Sequence, residues 1–460
     1  MPSLKKVHAA IDKAFAEAQY AKALDLCNYA LALQPKDLII PRAKGKILGK
    51  LNDYRASLDA FTRSLKLLGP NAEDYLNRGL CYSELYEYEK AVEDLSEGLR
   101  LMPEYAQGYL QRGAARWELR DWAGAMADFE KAYELMPDNA NAKWVLGLLQ
   151  LQVGNFKDGW GNYDQRWGSE KFKSPRLQTN KPEFVTNKRF KSVLVWGEQG
   201  IGDQIIYGSM LPAIRDRTDK VTAMVDKRLI PLFQRSMPDI EFMSNIDRVK
   251  ADLHDAHIPF ASIGRTFIKQ LDDISKYVAR KFLRADPKRV AQVHDEMGLA
   301  GEDFVVGVSW GSLAIKIGPH KSVKLSEMLP VLSVPGCKFV DVQYGDFSKE
   351  KQYLKEQTGI ELLKPPVDPT MDLDGLAAVL SCCDVLVACS SSTVHLAGAL
   401  GIPVLLMDAN KLWYWGNKDG DRSLWYPSVR IFPREAMNKP WTPVIAEVAK
   451  ELEALCKARI

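Results

Sequence analysis

The chain has 460 residues, 46% of them hydrophobic and 26% charged, which is the composition of a globular protein with roughly two to four domains. The net charge of +3 is small, so neither a broad basic surface nor a nucleic-acid partner is expected. Seven cysteines without a C-x-x-C pair favour a reducing, cytoplasmic compartment over a disulfide framework. We expect no signal peptide and no membrane span, because no apolar run is long enough.

The first third of the chain repeats itself every 34 residues. Glycines, other small residues and bulky residues each recur at this interval, and prolines stand near the end of each second predicted helix. Such spacing predicts helix pairs in which small residues allow close approach and the bulky residue fills the groove between pairs. The recurring positions are Gly45, Gly79, Gly113 and Gly147, then Ala23, Ser57, Ala91, Ala125 and Gly159, and finally Cys27, Phe61, Leu95, Phe129 and Tyr163.

This pattern resembles the tetratricopeptide repeat, with four repeats and a partial fifth over residues 1–168. An array of this kind forms a superhelix whose concave groove holds a peptide or a partner protein. Three tyrosines, Tyr75, Tyr82 and Tyr109, either line that groove or serve packing between helices. The array itself contains no residues that indicate catalysis.

Residues 169–188 are polar and aperiodic and contain prolines, which predicts a linker between the array and a second module. Beyond this linker, short apolar runs alternate with helical stretches, as in parallel sheets of the doubly wound kind. We predict two Rossmann-like halves, 189–300 with linking helices and 301–435, followed by a C-terminal helix within 436–460. The predicted strands are 192–196, 221–225, 240–243, 255–259, 304–310, 337–344, 385–389 and 403–408.

A glycine-rich loop follows the first predicted strand, where ligands of such folds bind. It reads Gly197-Glu198-Gln199-Gly200-Ile201-Gly202-Asp203 and matches neither the dinucleotide fingerprint nor a P-loop. Its glycines permit close backbone approach, and the helix that follows offers amides to an anion. Asp203 is either a helix cap, worth ~1 kcal/mol, or a general base that accepts a proton from an acceptor hydroxyl. The spacing alone favours the cap.

Two later loops carry charged or aromatic residues. Trp310 ends the fifth predicted strand, and Ser312, Lys316 and Lys321 follow it. Cations at a strand end suit a diphosphate, although lysines are equally common in solvated loops. The loop 413–427 is dense in aromatic residues, which either stack on a base or sugar ring or fill a gap between domains.

Four hydroxyl residues lead from the seventh strand directly into a helix. Ser390, Ser391, Ser392 and Thr393 supply hydroxyls and backbone amides, which is a phosphate site in outline. His395 lies one turn further, where a histidine is more commonly a core residue than a ligand contact. Because no metal-binding motif is present, a metal-independent mechanism is the simpler expectation.

Three motifs carry a resemblance to a known family: WGEQGIGD (196–203), SSTVHLAGALG (391–401) and SLWYPSVRIF (423–432). They resemble those of glycosyltransferase family 9, the ADP-heptose:lipopolysaccharide heptosyltransferase-like group, and of bacterial proteins that join tetratricopeptide repeats to such a domain. The segment GNFKDGWGNYDQRW (154–167) also resembles those proteins. The resemblance implies a GT-B fold and metal-free, inverting sugar transfer from a nucleotide-activated donor. It implies no cofactor besides that co-substrate.

The chain departs from this family in two respects. The family commonly has an aspartate where this chain has Ser390, and the first Rossmann-like half is short for an acceptor domain. The resemblance implies roles for individual residues: Asp203 would be the general base, and Lys321 would face the diphosphate. Phosphate would be cradled by Ser391, Ser392, Thr393 and His395, and Gln343 would lie near the nucleoside. The acceptor side would be formed by Gly197, Glu198, Gln199, Gly200 and Gly202.

We therefore expect a cytosolic glycosyltransferase whose protein acceptor, flagellin or another surface protein, is held by the array. Two alternatives stay open. One is an inactive GT-B fold that acts as an adaptor, and the other is a lipopolysaccharide or small-molecule glycosyltransferase whose repeats serve assembly into oligomers.

Overall fold

The computed structural model describes residues 4–244, 248–313, 318–409, 414–415 and 420–459. The chain divides into two compact units, Met1–Leu146 and Gly147–Ile460. Helices build the first unit, and the second contains two β-sheets. None of the helices in these residues is both long enough and apolar enough to cross a bilayer.

The first unit is an array of helix hairpins with the predicted 34-residue period. Gly45, Gly79 and Gly113 each lie in the first helix of a pair and admit the bulky residue of the second helix in that pair. A β-carbon at Gly79 would lie 2.7 Å from the Leu95 side chain, and one at Gly113 would lie 2.6 Å from the Phe129 ring. The helices are α1 Leu4–Ala16, α2 Tyr20–Leu33, α3 Ile40–Lys50, α4 Tyr54–Leu68, α5 Ala72–Glu84, α6 Tyr88–Leu101, α7 Ala106–Glu118, α8 Trp122–Leu135 and α9 Ala140–Gln152, which continues into the second unit.

Ion pairs with a buried carboxylate also recur at the repeat spacing. Arg78 contacts Asp94 at 2.6 Å, and Arg112, 34 residues further, contacts Asp128 at 2.6 Å. Both aspartates are buried, so the bidentate guanidinium replaces the water that their charge has lost. The three tyrosines for which groove lining and helix packing were both open lie against these arginines: Tyr75 and Tyr82 against Arg78, and Tyr109 against Arg112.

The second unit contains two parallel sheets, with strand orders β3-β2-β1-β4 and β6-β5-β7-β8-β9. This confirms the predicted fold class, a helical solenoid followed by Rossmann-like parallel sheets. All eight predicted strands are present, and a ninth, β9, was not predicted because its short run directly follows the aromatic loop 413–427. The strands are β1 Phe190–Trp196, β2 Thr218–Met224, β3 Glu241–Met243, β4 Ala256–Pro259, β5 Phe304–Ser309, β6 Cys337–Asp341, β7 Val385–Cys389, β8 Val404–Asp408 and β9 Val429–Pro433.

The strand order of each sheet reverses at one place, between β1 and β4 in the first sheet and between β5 and β7 in the second. Loops after the strands at such a reversal diverge and leave a crevice, which is where these folds bind ligands. The helices of this unit are α10 Phe156–Tyr163, α11 Ile201–Gly208, α12 Leu211–Arg215, α13 Ile230–Ser236, α14 Arg248–Ala251, α15 Ile263–Phe267, α16 Leu271–Tyr277, α17 Pro287–Glu296, α18 Gly318–Lys321, α19 Leu329–Leu332, α20 Ser348–Thr358, α21 Leu373–Ser381, α22 Ser392–Leu400 and α23 Thr442–Arg459.

Candidate active site

The loops at the two reversal points meet each other. Helix α11 begins after β1, helix α22 begins after β7, and the two pack together with Gly202 beside His395. The predicted acceptor loop and the predicted phosphate cradle therefore lie on opposite sides of one crevice.

Asp203 is the third residue of α11, and the cap position is occupied by Gly200. The Gly200 N–H donates to the Asp203 carboxylate, so Asp203 caps the helix from within rather than from the N-cap position. Burial raises the pKa of Asp203 to about 6, the negative charge of Glu198 adds to the increase, and Lys321 partly opposes it. A carboxyl group with a pKa this close to neutrality is suited to accept a proton, so the cap and the general base are compatible roles.

Lys321 and His395 face Asp203 from the second sheet. Lys321 is only 7% exposed, and its charge acts on both other residues. Burial lowers the pKa of His395 to about 3, and the positive charge of Lys321 contributes to the decrease. The imidazole is therefore neutral near pH 7, and the positive charge in this part of the crevice comes from Lys321.

Aromatic residues surround His395. Its ring stacks on Trp415 with 4.3 Å between centroids, and its Nδ1 lies 3.4 Å from the Tyr426 hydroxyl. Trp415 Nε1 donates to the Ser390 hydroxyl at 2.9 Å, so Ser390 orients this ring. Trp415 and Tyr426 were not predicted as site residues, although the aromatic density of the loop 413–427 was the signal for them.

The start of α22 has the features of an anion site. Ser391 occupies the N-cap position in extended conformation, and no side chain caps the helix. Within the described part of the chain, the Ser391 hydroxyl is buried without a hydrogen-bond partner. Ser392 and Thr393 form the first turn, whose backbone amides point out of the helix end. The structure thus brings four of the predicted cradle residues, Ser391, Ser392, Thr393 and His395, to one helix start.

Gln343 fixes the backbone after β5. Its Oε1 accepts from the N–H groups of Trp310 at 2.8 Å and Gly311 at 2.7 Å. Its Nε2 donates to the carbonyls of Gly311 at 3.1 Å and Tyr344 at 2.7 Å. The side chain is buried, and its Oε1 also accepts from the Ser309 hydroxyl at 3.2 Å, so its direct role is to shape the loop. Contact with a nucleoside stays a prediction.

The other predicted residues of this loop differ in how deeply they are buried. Trp310 is fully buried against Phe347, with ring centroids 5.7 Å apart. Ser312 is half-buried, and its N–H donates to the Ser322 hydroxyl at 2.9 Å. Lys316 lies outside the described residues.

Glu198 and Gln199 are held by the segment that precedes the linker. The Glu198 carboxylate accepts from Arg166 at 2.8 Å and from the Ala261 N–H at 3.0 Å. Gln199 Nε2 donates to the Tyr163 hydroxyl at 2.8 Å. Sequence reasoning missed Arg166, because nothing in its local pattern shows that the side chain is buried.

The structure defines a helical repeat array joined to a pair of Rossmann-like sheets, whose reversal points meet where α11 packs on α22. No known protein-family profile matches the chain. The chain is 30% identical over 324 residues to Protein FlbA of Caulobacter vibrioides, an alignment that covers 66% of this chain and 53% of FlbA. It therefore spans about half the length of that curated relative, whose name states no activity.

Solved structures also resemble part of the chain. MamA of Desulfovibrio magneticus RS-1 is 18% identical, with a TM-score of 0.33 over 36% of this chain and 92% of MamA. A thermophilic TPR protein of Thermus thermophilus is 22% identical, with a TM-score of 0.30 over 35% of this chain and 89% of its own.

Proposed function

We propose that the protein is an inverting glycosyltransferase that transfers a sugar from a nucleotide-activated donor to a protein acceptor bound by the helical array. The observation that carries the proposal is the arrangement of three residues, with Asp203 facing Lys321 and His395 across the crevice where both strand orders reverse. One side of the crevice offers a base, and the other offers a cation and a helix N-terminus.

These groups suit a single displacement. Asp203 accepts the proton of the acceptor hydroxyl while the acceptor oxygen forms a bond to the anomeric carbon. The bond from that carbon to the donor diphosphate breaks on the opposite face, which inverts the configuration. Lys321 and the amides at the start of α22 stabilise the charge that develops on the leaving diphosphate. His395 is neutral, so it contributes hydrogen bonding and not charge.

The array favours a protein acceptor over a small-molecule acceptor, because stacked helix pairs present an extended surface that suits a polypeptide.

The first step of a test is to titrate the 460-residue protein with a panel of nucleotides and nucleotide sugars. We expect one nucleotide diphosphate to bind, and to bind much more weakly to the Lys321→Met variant. Absence of binding across the panel would contradict the proposal.

The second step identifies the product. Mass spectrometry of proteins that co-purify with the chain should detect a glycan mass on an acceptor, and the Asp203→Ala variant should yield the same acceptor without the glycan. This comparison also decides the second candidate, an adaptor without catalysis. One observation favours the adaptor. Ser390 stands at the position where glycosyltransferase family 9 commonly has an aspartate, and its hydroxyl orients Trp415. An adaptor predicts the same modification state with and without Asp203, and retained partner binding.

A further inference from the structure

We propose that Arg166 and Tyr163 are positioning residues that hold the loop of Asp203 in its working geometry. They belong to the segment 156–168, which consists of α10 and the turn Asp164–Gly168 and lies in the same compact unit as the sheets. The inference rests on the proposed function, in which Asp203 is the base. It assigns a role to a segment that carries no reacting group.

Arg166 is completely buried, and each side of its guanidinium is occupied. Nη2 donates to Glu198 at 2.8 Å and to the Ser262 hydroxyl at 3.0 Å, and Nη1 donates to Asp164. The rings of Tyr163 and Trp167 lie 4.7 Å and 4.9 Å from its central carbon. A buried guanidinium with this many partners has one favourable position. The groups to which it donates are therefore held in place as well.

Glu198 transmits this constraint to both strands at the reversal point of the first sheet. It belongs to the loop after β1, and it accepts the N–H of Ala261, which lies in the turn Phe260–Ser262 after β4. Arg166 donates to the same carboxylate and also to the Ser262 hydroxyl in that turn. The single ion pair therefore ties the carboxyl ends of β1 and β4 to the segment.

Tyr163 holds the same loop from a second direction. Its hydroxyl accepts from Gln199 at 2.8 Å and is hydrogen-bonded to Tyr207, which lies one turn beyond Asp203 on α11. Burial raises the pKa of Tyr163 to about 12, so the group remains a neutral phenol that can both donate and accept. The segment thus contacts the chain before Asp203 at Glu198 and Gln199, and after it at Tyr207.

The ion pair also has an electrostatic consequence for the base. The charge of Glu198 raises the pKa of Asp203; burial raises the pKa of Glu198 in turn, and Arg166 is the cation that opposes this increase. Without Arg166, Glu198 must either take up a proton or leave its site. Both changes reduce the negative charge beside Asp203, so its pKa should fall.

The test uses full-length variants. Arg166→Met removes the cation, Arg166→Lys keeps the charge without the bidentate fork, and Tyr163→Phe removes only one hydroxyl. The control is Arg189→Met, because Arg189 forms an exposed pair with Asp219 in the same unit. We measure kcat and KM for transfer, hydrogen exchange of residues 197–208, and the pH dependence of unfolding with and without Asp203→Asn, which isolates the titration of Asp203.

We expect kcat to fall by about tenfold in Tyr163→Phe and by more in Arg166→Met, with the donor KM unchanged, and Arg166→Lys to recover part of the loss. Hydrogen exchange in the loop should rise, and the Asp203 titration should move to lower pH in Arg166→Met. If Tyr163→Phe and Arg166→Lys leave kcat, loop exchange and the Asp203 titration as in the control, the proposal is overturned. If the native protein transfers no sugar, the proposed function fails, and the exchange and titration measurements still decide the positioning role.

Discussion

Gly202 and His395 lie so close together that a β-carbon at position 202 would be 2.8 Å from Cδ2 of the imidazole. The ring has little freedom to retreat, because it stacks on Trp415 with 4.3 Å between centroids. The glycine therefore sets how closely the loop that carries Asp203 approaches the start of α22.

Replacing this glycine tests the closeness of the crevice. We expect Gly202→Ala to destabilise the protein by about 1–3 kcal/mol, because the added methyl group overpacks against a fixed ring. Donor binding should weaken as well, since His395 must move. Thermal unfolding and nucleotide titration measure the two effects. Gly161→Ala is the matched control, because Gly161 is also helical and its β-carbon would meet no atom within 4 Å. Equal stability of the two variants would show that the contact does not constrain the helices.

The raised pKa of Asp203 predicts a specific pH dependence of stability. The folded-state pKa of about 6 exceeds the ordinary 3.8, so between these values the folded protein holds more protons than the unfolded chain. The free energy of unfolding then falls as pH rises through this window, by an upper limit of about 3 kcal/mol. Asp203→Asn should match the native protein at pH 4 and exceed its stability at pH 8, while abolishing transfer. Denaturant unfolding at both pH values measures this, and a parallel pH dependence of the two proteins would contradict it.

Gln343 should prove structurally essential. In Gln343→Leu the buried N–H groups of Trp310 and Gly311 lose their acceptor, at about 1–3 kcal/mol for each group. We expect a loss of roughly 2–6 kcal/mol together with weaker nucleotide binding. Gln352→Leu is the control, because Gln352 is exposed and should change stability by less than about 0.5 kcal/mol. Unfolding curves that coincide for the two variants would argue against the role assigned to Gln343.

The recurring ion pairs of the array should dominate its polar energetics. Asp128 is buried and binds both Arg112 at 2.6 Å and Arg116 at 2.8 Å. Asp128→Ala should cost about 3 kcal/mol, because two guanidinium groups lose their shared carboxylate. Glu97→Ala removes only an exposed partner of Arg100 and should cost less than about 0.5 kcal/mol. The comparison is made by thermal denaturation, and similar costs would mean that burial adds nothing to the pair.

The array was predictable because its period is strict. Gly79 and Gly113 each require a bulky partner on the facing helix, and Leu95 and Phe129 recur at the same 34-residue interval. The parallel sheets were predictable as well, since buried strands read as short apolar runs. β9 escaped because it lies next to the aromatic loop.

The site was only partly predictable. Glycines, hydroxyl residues and His395 follow strands, and the fold itself brings strand ends together. Arg166 could not be found in this way, because its partner Glu198 is 32 residues away and a lone arginine usually lies in solvent. The role of Gln343 also depends on geometry, since its hydrogen bonds join two loops that are distant in sequence.

The ion pair of Arg166 and Glu198 indicates where the protein can be divided and recombined. A cut at residue 168 would remove the arginine and leave its carboxylate in a dry cavity, whereas a cut just before Ala140, where α9 begins, keeps both the ion pair and that helix intact. If the proposed function holds, exchanging arrays to test a new acceptor therefore calls for a graft ahead of residue 140. The thirteen residues from Phe156 to Gly168 then stay in one piece with the two sheets whose loops they contact.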